Sequence, residues 1–242
     1  MAASSNYRAA LADAVLCRGE PASAQMLALF DFDHTITPWD TARRFLIWLI
    51  RRSVWKLCLV VLALPLLGPL LAFQRTRALP IRFGAWVATL GVLQEQLPNL
   101  ARMHIKVVTD RGDKFVRSDA RAQLDFHLAR GHRVVVATGC LEVLAREILD
   151  AEGLSMIEVV GSSMRARCAG MVVSEHCFGE RKISMLAARG FAEPWDFAYS
   201  DHCADLPLLL NGKARYLVNP LPSCLAKFRA ALGDTATLVS WN

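Results

Sequence analysis

Two aspartates, Asp31 and Asp33, end the apolar stretch LALFDF near the start of the chain. Carboxylates this close together repel each other and lose hydration where they are partly buried. A fold accommodates such a pair when a cation or a cationic substrate group lies between the two carboxylates. The spacing therefore predicts a site built around positive charge.

Later segments carry residues that suit the same site. VVVATG ends in Thr138 and Gly139, SDHCAD contains Asp201 and Asp205, and GERK places Lys182 at the start of a predicted helix. In open parallel sheets, ligands bind beyond the carboxyl ends of the strands. We therefore expect these residues to meet the two N-terminal aspartates in one crevice.

The elements that position these residues alternate along the chain. MLALFDF reads as a buried strand, and from residue 119 onward helical patterns alternate with short β-branched runs such as HRVVVATG and ARYLVNP. MIEVVGSSMRARCAGMVVSEH reads as a hairpin that turns near Ala169 and Gly170. This pattern predicts an α/β fold, a Rossmann-like parallel sheet with helices on both faces, and a helical insertion after the first strand.

Four signatures occur in the order found in one enzyme superfamily. DFDHT, VVVATG, GERK and SDHCAD resemble the four motifs of the haloacid dehalogenase-like hydrolases, which are largely magnesium-dependent phosphatases. A single DxD pair is weak evidence, because two such aspartates also occur on solvated turns. Four motifs in order, each at the end of a strand or helix, are specific, and they imply a phosphatase with the sheet described above.

The resemblance implies a role for each candidate residue. Asp31 would attack phosphorus and become an aspartyl-phosphate. Asp33 would protonate the leaving oxygen and then take a proton from the hydrolytic water. Thr138 and the backbone N–H of Gly139 would hold phosphate oxygens, and Lys182 would neutralise both the nucleophile and the transferring group.

The resemblance also implies a magnesium ion. Magnesium prefers hard oxygen ligands and keeps several waters. Asp31 and Asp201 would each supply a carboxylate oxygen, and Asp33 its backbone carbonyl. Asp205 would hold the metal through water or orient Lys182.

Residues 38–118 separate the first signature from the second, and family members with an insertion there carry a helical cap that selects the substrate. This block holds 13 Lys and Arg against four acidic residues, a net charge of +9, whereas the rest of the chain has a net charge of −3. We therefore divide the chain into a polar extension (1–24), a catalytic core (25–37 and 119–242) and a basic helical cap (38–118).

The cap contains a 17-residue run without charge, from 57 to 73. As a helix it would reach about 26 Å, short of a bilayer core of roughly 30 Å, and Pro65 and Pro69 with Gly68 should break it near the middle. A full crossing would also separate Asp31 from the later motifs. We expect residues 45–73 to contact the membrane surface or one leaflet as a hairpin, with the core on the cytoplasmic side; burial inside the cap is the alternative.

A cap both apolar and basic favours an acylated, anionic substrate. The order of motifs and apolar run is similar to subfamily IB phosphatases, in particular the phosphatidylglycerophosphatase C family, and implies conversion of phosphatidylglycerophosphate to phosphatidylglycerol. SDHCAD lacks the GDGAND pattern of the phosphoserine phosphatase branch. Two alternatives stay open: a soluble phosphatase of the phosphoserine phosphatase type, and a non-catalytic membrane-binding regulatory protein.

Composition suggests a large core or contact with lipid, since 54% of the residues are hydrophobic and 21% are charged. Nothing in the pattern indicates a nucleic-acid partner or an obligate protein partner. The seven cysteines form no CxxC pair, so we expect reduced thiols rather than a disulfide framework. The N-terminal segment has no apolar core typical of a secretory signal.

Overall fold

The computed structural model describes residues 25–73, 76 and 78–242, so the predicted extension of residues 1–24 lies outside it. Seven strands of the described residues form one sheet in the order β4-β3-β2-β1-β5-β6-β7. Their bounds are β1 Leu27–Phe30, β2 Arg133–Leu141, β3 Glu158–Arg167, β4 Gly170–Glu175, β5 Trp195–Ser200, β6 Gly212–Val218 and β7 Ala236–Val239. The strand β7 was not predicted from the sequence.

Strand β1 lies at the centre of the sheet. It pairs in parallel with β2 on one side, where Ala28 lies opposite Val134, and with β5 on the other, where Ala28 lies opposite Phe197. All neighbouring strands are parallel except β4, which returns antiparallel to β3 as the predicted hairpin. The predicted α/β fold with a mostly parallel sheet is confirmed.

The sheet is covered on both faces, and its central strand β1 (LALF) is apolar at every position. Alternate residues face opposite sides: Phe30 and Val136 belong to one buried cluster, and Leu29 and Val135 to the other. Such continuous apolar strands are typical of sheets buried on both sides.

The helices flank the sheet and fill the insertion after β1. We number them α1 Thr41–Arg51, α2 Val54–Leu67, α3 Ala78–Ala88, α4 Leu97–Thr109, α5 Ser118–Ala129, α6 Glu142–Ala151, α7 Glu180–Ala188, α8 Leu206–Leu210 and α9 Pro222–Leu232. The insertion holds α1 to α4. Helices α5 and α6 pack on one face of the sheet, and α7, α8 and α9 pack on the other.

Helix α2 has an unusual distribution of buried and exposed residues. Its sequence VWKLCLVVLALPLL contains one charged residue, and of its 14 residues, all described, that residue alone is buried. The Lys56 Nζ donates a hydrogen bond of 2.9 Å to the carbonyl oxygen of Ala88 at the end of α3. Leu62 and Leu66 are each 77% exposed. The lysine thus links two helices, while most of the apolar surface of α2 faces outward.

The predicted break within the apolar run lies later than expected. The helix continues through Pro65, and the amide of Gly68 still donates to the carbonyl of Leu64 at 2.8 Å. A short 3₁₀ helix, Pro69–Ala72, follows. Pro65 lies in the last turn, where its missing N–H costs the helix only one hydrogen bond. In the part of the chain that the structure describes, no helix has the length and apolar character needed to span a membrane.

The β3–β4 hairpin holds the insertion against the sheet. The amide of Met171 donates to Thr89 Oγ1 at 2.8 Å, and the amide of Gly91 donates to the carbonyl of Ala169 at 2.8 Å. Gly170 is required at this contact, because a Cβ there would lie 2.7 Å from the Trp86 ring. The end of α3 and the loop after it are therefore fixed to the hairpin.

The expectation of reduced thiols is wrong for one pair of cysteines. Cys203 and Cys224 form a disulfide that joins the loop after β5 to α9. Spacing did not reveal it because the two residues are 21 positions apart and meet only through the packing of α9 on the sheet. The other cysteines in the described residues are free thiols.

Candidate active site

The centre of the site lies where β1 and β5 end side by side. The amide of Asp31 donates to the carbonyl of Tyr199 at 2.9 Å, which continues the pairing of the two strands. Thr35, whose role was not predicted, bridges the two strand ends. Its Oγ1 donates either to Asp31 Oδ2, at 3.4 Å, or to Asp201 Oδ1, at 3.3 Å. The same oxygen accepts a hydrogen bond from the Asp201 amide at 3.1 Å. The DxDxT motif contains this threonine.

Lys182 joins the first aspartate to the last. It lies in the first turn of α7, and only 2% of its surface is exposed. Its Nζ donates to Asp31 Oδ1 at 2.6 Å and to Asp205 Oδ2 at 2.8 Å. Ser200, also unassigned from sequence, donates to the same Asp205 oxygen at 2.8 Å. Together with the Thr35 bridge, these hydrogen bonds link four of the predicted site residues: Asp31, Lys182, Asp201 and Asp205.

Burial dominates the electrostatics of this cluster. It raises the pKa of Asp31 to about 7, with Lys182 opposing the shift, and the pKa of Asp201 to about 6, with Asp205 adding to the shift. Burial alone would lower the pKa of Lys182, but Asp205 and Asp31 raise it above its ordinary value. Lys182 is therefore charged, and its single charge is shared between two carboxylates.

The residues present fit a divalent cation. When all four groups are ionised, the three buried carboxylates exceed the one ammonium by two negative charges. Asp205 Oδ1 is buried and has no hydrogen-bond partner among the described residues, although the other oxygen of this carboxylate accepts two bonds. Carboxylate oxygens are the ligands that Mg²⁺ prefers. A cation of charge two would balance the cluster and satisfy the unpartnered oxygen.

Asp33 lies beside this cluster and is held by α1. Its Oδ1 accepts from the Thr41 amide at 2.9 Å and from Thr41 Oγ1 at 2.6 Å, at the N-terminus of that helix. Burial raises the pKa of Asp33 to about 7, although both bonds from Thr41 lower it. Asp33 also lines the central cleft, so its second oxygen is available to a ligand.

The end of β2 forms another wall. Gly139 lines the cleft, and its carbonyl accepts from Ser162 Oγ at 2.8 Å. Thr138 is fully buried and, unlike Gly139, does not line the cleft. Its Oγ1 accepts from the Cys140 amide at 2.9 Å, so it shapes this turn, and its expected contact with phosphate stays a prediction. His176 lines the cleft nearby, with Nδ1 3.1 Å from Ser162 Oγ, and no sequence signal indicated it.

The cleft extends from the carboxylates into the insertion. Its volume is about 1220 Å³. Asp31, Asp33, Lys182, Asp201 and Asp205 line one end. Apolar residues of the insertion line the other, among them Leu46, Ile47, Ile50, Val60, Leu64, Leu67, Leu71 and Ile81. The polar cluster and this apolar surface therefore belong to one continuous cavity.

The fold and the site define a class of enzyme: α/β proteins that gather carboxylates, a lysine and a strand-end turn at the carboxyl edge of a parallel sheet. The model of the haloacid dehalogenase-like hydrolase family matches residues 28–210. The chain belongs to this family, so the expected family and the expected enzymatic nature are confirmed. No curated protein sequence matches the chain.

Solved structures share the fold. A protein of unknown function from Bordetella pertussis Tohama I is 22% identical, with a TM-score of 0.62 over 88% of this chain and 98% of its own. A phosphoserine phosphatase in apo form is 14% identical, with a TM-score of 0.51 over 82% of this chain and 88% of its own. A phospho-aspartyl intermediate analogue of phosphoserine phosphatase is 15% identical, with a TM-score of 0.51 over 84% and 90%. These likenesses concern the fold.

Proposed function

We propose that the protein is a magnesium-dependent phosphomonoester hydrolase. A carboxylate oxygen of Asp31 attacks phosphorus, the bond from phosphorus to the alcohol oxygen breaks, and Asp33 gives that oxygen a proton. Water then attacks the phosphorus of the aspartyl-phosphate and yields a proton to Asp33, and the bond from phosphorus to the Asp31 oxygen breaks. Inorganic phosphate leaves, and both aspartates return to their starting state.

The other predicted residues support this reaction by position and charge. Lys182 pairs with Asp31 and so orients the nucleophile. Gly139 lines the same cleft, and Thr138 stabilises the turn that presents it. Asp31, Asp201 and Asp205, with the backbone carbonyl of Asp33, would hold Mg²⁺. The ion would neutralise the charge of the phosphoryl oxygens.

We further propose that the substrate is a membrane phospholipid, and specifically that phosphatidylglycerophosphate is converted to phosphatidylglycerol. The observation that carries this proposal is the single cavity in which the carboxylates meet the apolar surface of α1, α2 and α3. A small polar ester needs no such surface, whereas the glycerol backbone and acyl chains of a lipid fit it. The resemblance to subfamily IB and to phosphatidylglycerophosphatase C supports the same substrate.

The membrane would be contacted through residues 45–73, with the core on the cytoplasmic side. The outward leucines of α2 and the net charge of +9 in residues 38–118 support this arrangement. Apolar side chains enter the interface of a bilayer, and each Lys or Arg near an anionic surface contributes about 1 kcal/mol.

A second candidate is a soluble phosphatase of the phosphoserine phosphatase type, which the shared fold favours. A panel of substrates separates the two. Purified protein with Mg²⁺ should release phosphate from phosphatidylglycerophosphate in mixed micelles faster than from phosphoserine, and the Asp31→Asn variant should lose about a thousandfold or more in rate. Preference for phosphoserine would refute the lipid assignment. Unchanged biological activity of Asp31→Asn would instead favour a non-catalytic regulatory protein.

The proposed metal site has a test that is independent of turnover. Mg²⁺ at about 100 times its dissociation constant should stabilise the folded protein by about 2.7 kcal/mol. Thermal unfolding with and without chelator measures this shift. The Asp205→Asn variant should lose most of it, and a substitution distant from the site, Asp234→Asn, should keep it. Equal shifts in both variants would mean that the ion binds elsewhere.

A further inference from the structure

Two arginines of the insertion line the cleft. Arg43 lies in the first turn of α1, and Arg82 lies in α3, which packs against α1. Both side chains are exposed. In the described part of the chain, neither guanidinium has a hydrogen-bond or ion-pair partner. Two cations without counter-ions therefore face a cavity whose insertion side is mostly apolar.

The position of Arg43 relates it to one part of a substrate. The turn that carries Arg43 also carries Thr41, which holds Asp33. Asp33 is proposed to protonate the leaving oxygen, so the leaving alcohol lies on the side of Asp33 and α1. Arg43 and Asp33 both line the cleft, so a leaving group that reaches Asp33 shares this cleft with Arg43.

Lys182 and Asp40, which also line the cleft, already have hydrogen-bond partners. Lys182 is committed to Asp31 and Asp205. Asp40, which also lines the cleft, accepts the amide of Arg43 at 2.8 Å as the cap of α1. The unpaired cations of Arg43 and Arg82 are thus available to an anion in the leaving group, and a guanidinium binds phosphate oxygens in pairs.

We propose that Arg43 and Arg82 form a specificity site for a second phosphate in the substrate, the phosphodiester that links the leaving alcohol to the rest of a glycerophospholipid. The inference rests on the proposed function and deepens it. It explains how the protein distinguishes a lipid whose leaving group carries a phosphodiester from phosphatidic acid, whose leaving group is an uncharged diacylglycerol.

The test compares two lipids with the same acyl chains, phosphatidylglycerophosphate and phosphatidic acid, in the same mixed micelles. The wild-type protein should have the higher kcat/KM for phosphatidylglycerophosphate. In Arg43→Gln and in Arg82→Gln, the ratio of the two kcat/KM values should fall about tenfold or more, because a hydrogen-bonded charge pair is lost. Arg43→Lys keeps the charge without the paired donors and should recover part of the ratio.

Arg111→Gln is the matched control. Arg111 is an exposed arginine in the same insertion and does not line the cleft. It should leave the ratio unchanged. Because the ratio is taken within each variant, partial loss of folded protein cancels. An unchanged ratio in both cleft variants, or an equal fall in Arg111→Gln, would overturn the specificity site while lipid hydrolysis stands. Absence of lipid hydrolysis in the wild type would instead refute the proposed function.

Discussion

Thr35 connects the two strand ends of the site. Its hydroxyl lies within hydrogen-bond distance of Asp31 and Asp201 and also accepts the Asp201 amide. A threonine is suited to this place, because a hydroxyl both donates and accepts while its methyl group packs in the core. We infer that Thr35 fixes the relative position of the proposed nucleophile and of one carboxylate proposed to bind the metal, without contacting substrate.

Removing this hydroxyl should therefore affect rate more than substrate binding. Thr35→Val keeps the shape but leaves the Asp201 amide unsatisfied, at a cost to stability of about 1–3 kcal/mol. We expect kcat to fall at least tenfold with little change in KM, and Thr35→Ser to retain most of kcat. Steady-state kinetics with circular dichroism as a folding check measures this. A change confined to KM would contradict a positioning role.

At the scale of residues, motifs in the sequence identified the charged side chains of the site but not the residues that hold them in place. Asp31, Asp33, Lys182, Asp201 and Asp205 stand in recognisable motifs, and the structure brings them into one cleft. Ser200 and Thr41 are common residue types that contact Asp205, five positions later, and Asp33, eight positions earlier. No pattern in the sequence marks these contacts, because they depend on the turn after β5 and on the start of α1.

At the scale of elements, α2 is the exception to ordinary helix design. A helix on a water-facing surface normally buries an apolar stripe and exposes its charges. Here the charge is inside, where Lys56 bonds to the end of α3, and the leucines are outside. Burial lowers the pKa of Lys56, and nearby Arg52 lowers it further. Exposed apolar patches of this kind mark sites of contact with a membrane or another protein.

Charged substitutions on α2 test the membrane proposal. In Leu62→Glu with Leu66→Glu, binding to liposomes containing anionic lipid should fall at least tenfold. The urea midpoint should change little, because both positions are 77% exposed. Leu238→Glu on β7, at 65% exposure, is the control and should bind normally. Sedimentation with liposomes measures both. Equal binding by all three proteins would exclude α2 as the contact surface.

The apolar periodicity of the sequence predicts the longer strands and helices but misses the short strand β7. Long runs such as HRVVVATG and the helices with glycine stops formed where expected. Strand β7 has only four residues, none of them buried, so the run is too short to show a periodic pattern and its place depends on pairing with β6. The sequence predicts a helix break at Pro65, but the effect of a proline depends on its distance from the helix end, and Pro65 lies in the last turn.

At the scale of the molecule, two buried histidines couple stability to pH. His104 lies among Phe45, Trp48 and Phe115, and within residues 25–73, 76 and 78–242 neither of its ring nitrogens has a partner. Burial lowers its pKa to about 4, with Arg44 and Arg111 adding to the shift. His127 bonds to Tyr199 and His132, and burial likewise lowers its pKa to about 4.

Between pH 6.5 and pH 4 the unfolded chain takes up protons at these histidines and the folded protein does not. Stability is therefore complete above about pH 6.5 and is lost as pH falls towards 4, by about 3 kcal/mol for each histidine. His104→Phe should remove one such contribution and stabilise the protein at pH 7 by about 1 kcal/mol, because two unsatisfied nitrogens disappear. Urea unfolding across this pH range measures both effects.

His127→Phe is the comparison for this experiment. It should remove a similar contribution to the pH dependence but lower stability at pH 7, because the Tyr199 hydroxyl and His132 each lose a hydrogen bond to His127. Taking each variant against the wild type cancels the contribution of the active-site carboxylates. A pH slope unchanged in His104→Phe would show that this histidine is protonated in the folded state.

The hydrogen bonds that join Thr89 and Gly91 to the β3–β4 hairpin have a consequence for selectivity. Because the hairpin holds this edge of the insertion, the insertion has little freedom to close over the cleft. Discrimination among ligands then depends on the fixed outline of the cleft entrance rather than on a closing motion induced by binding. Reshaping that outline should then alter how tightly competing molecules are held far more than how fast the bound one reacts.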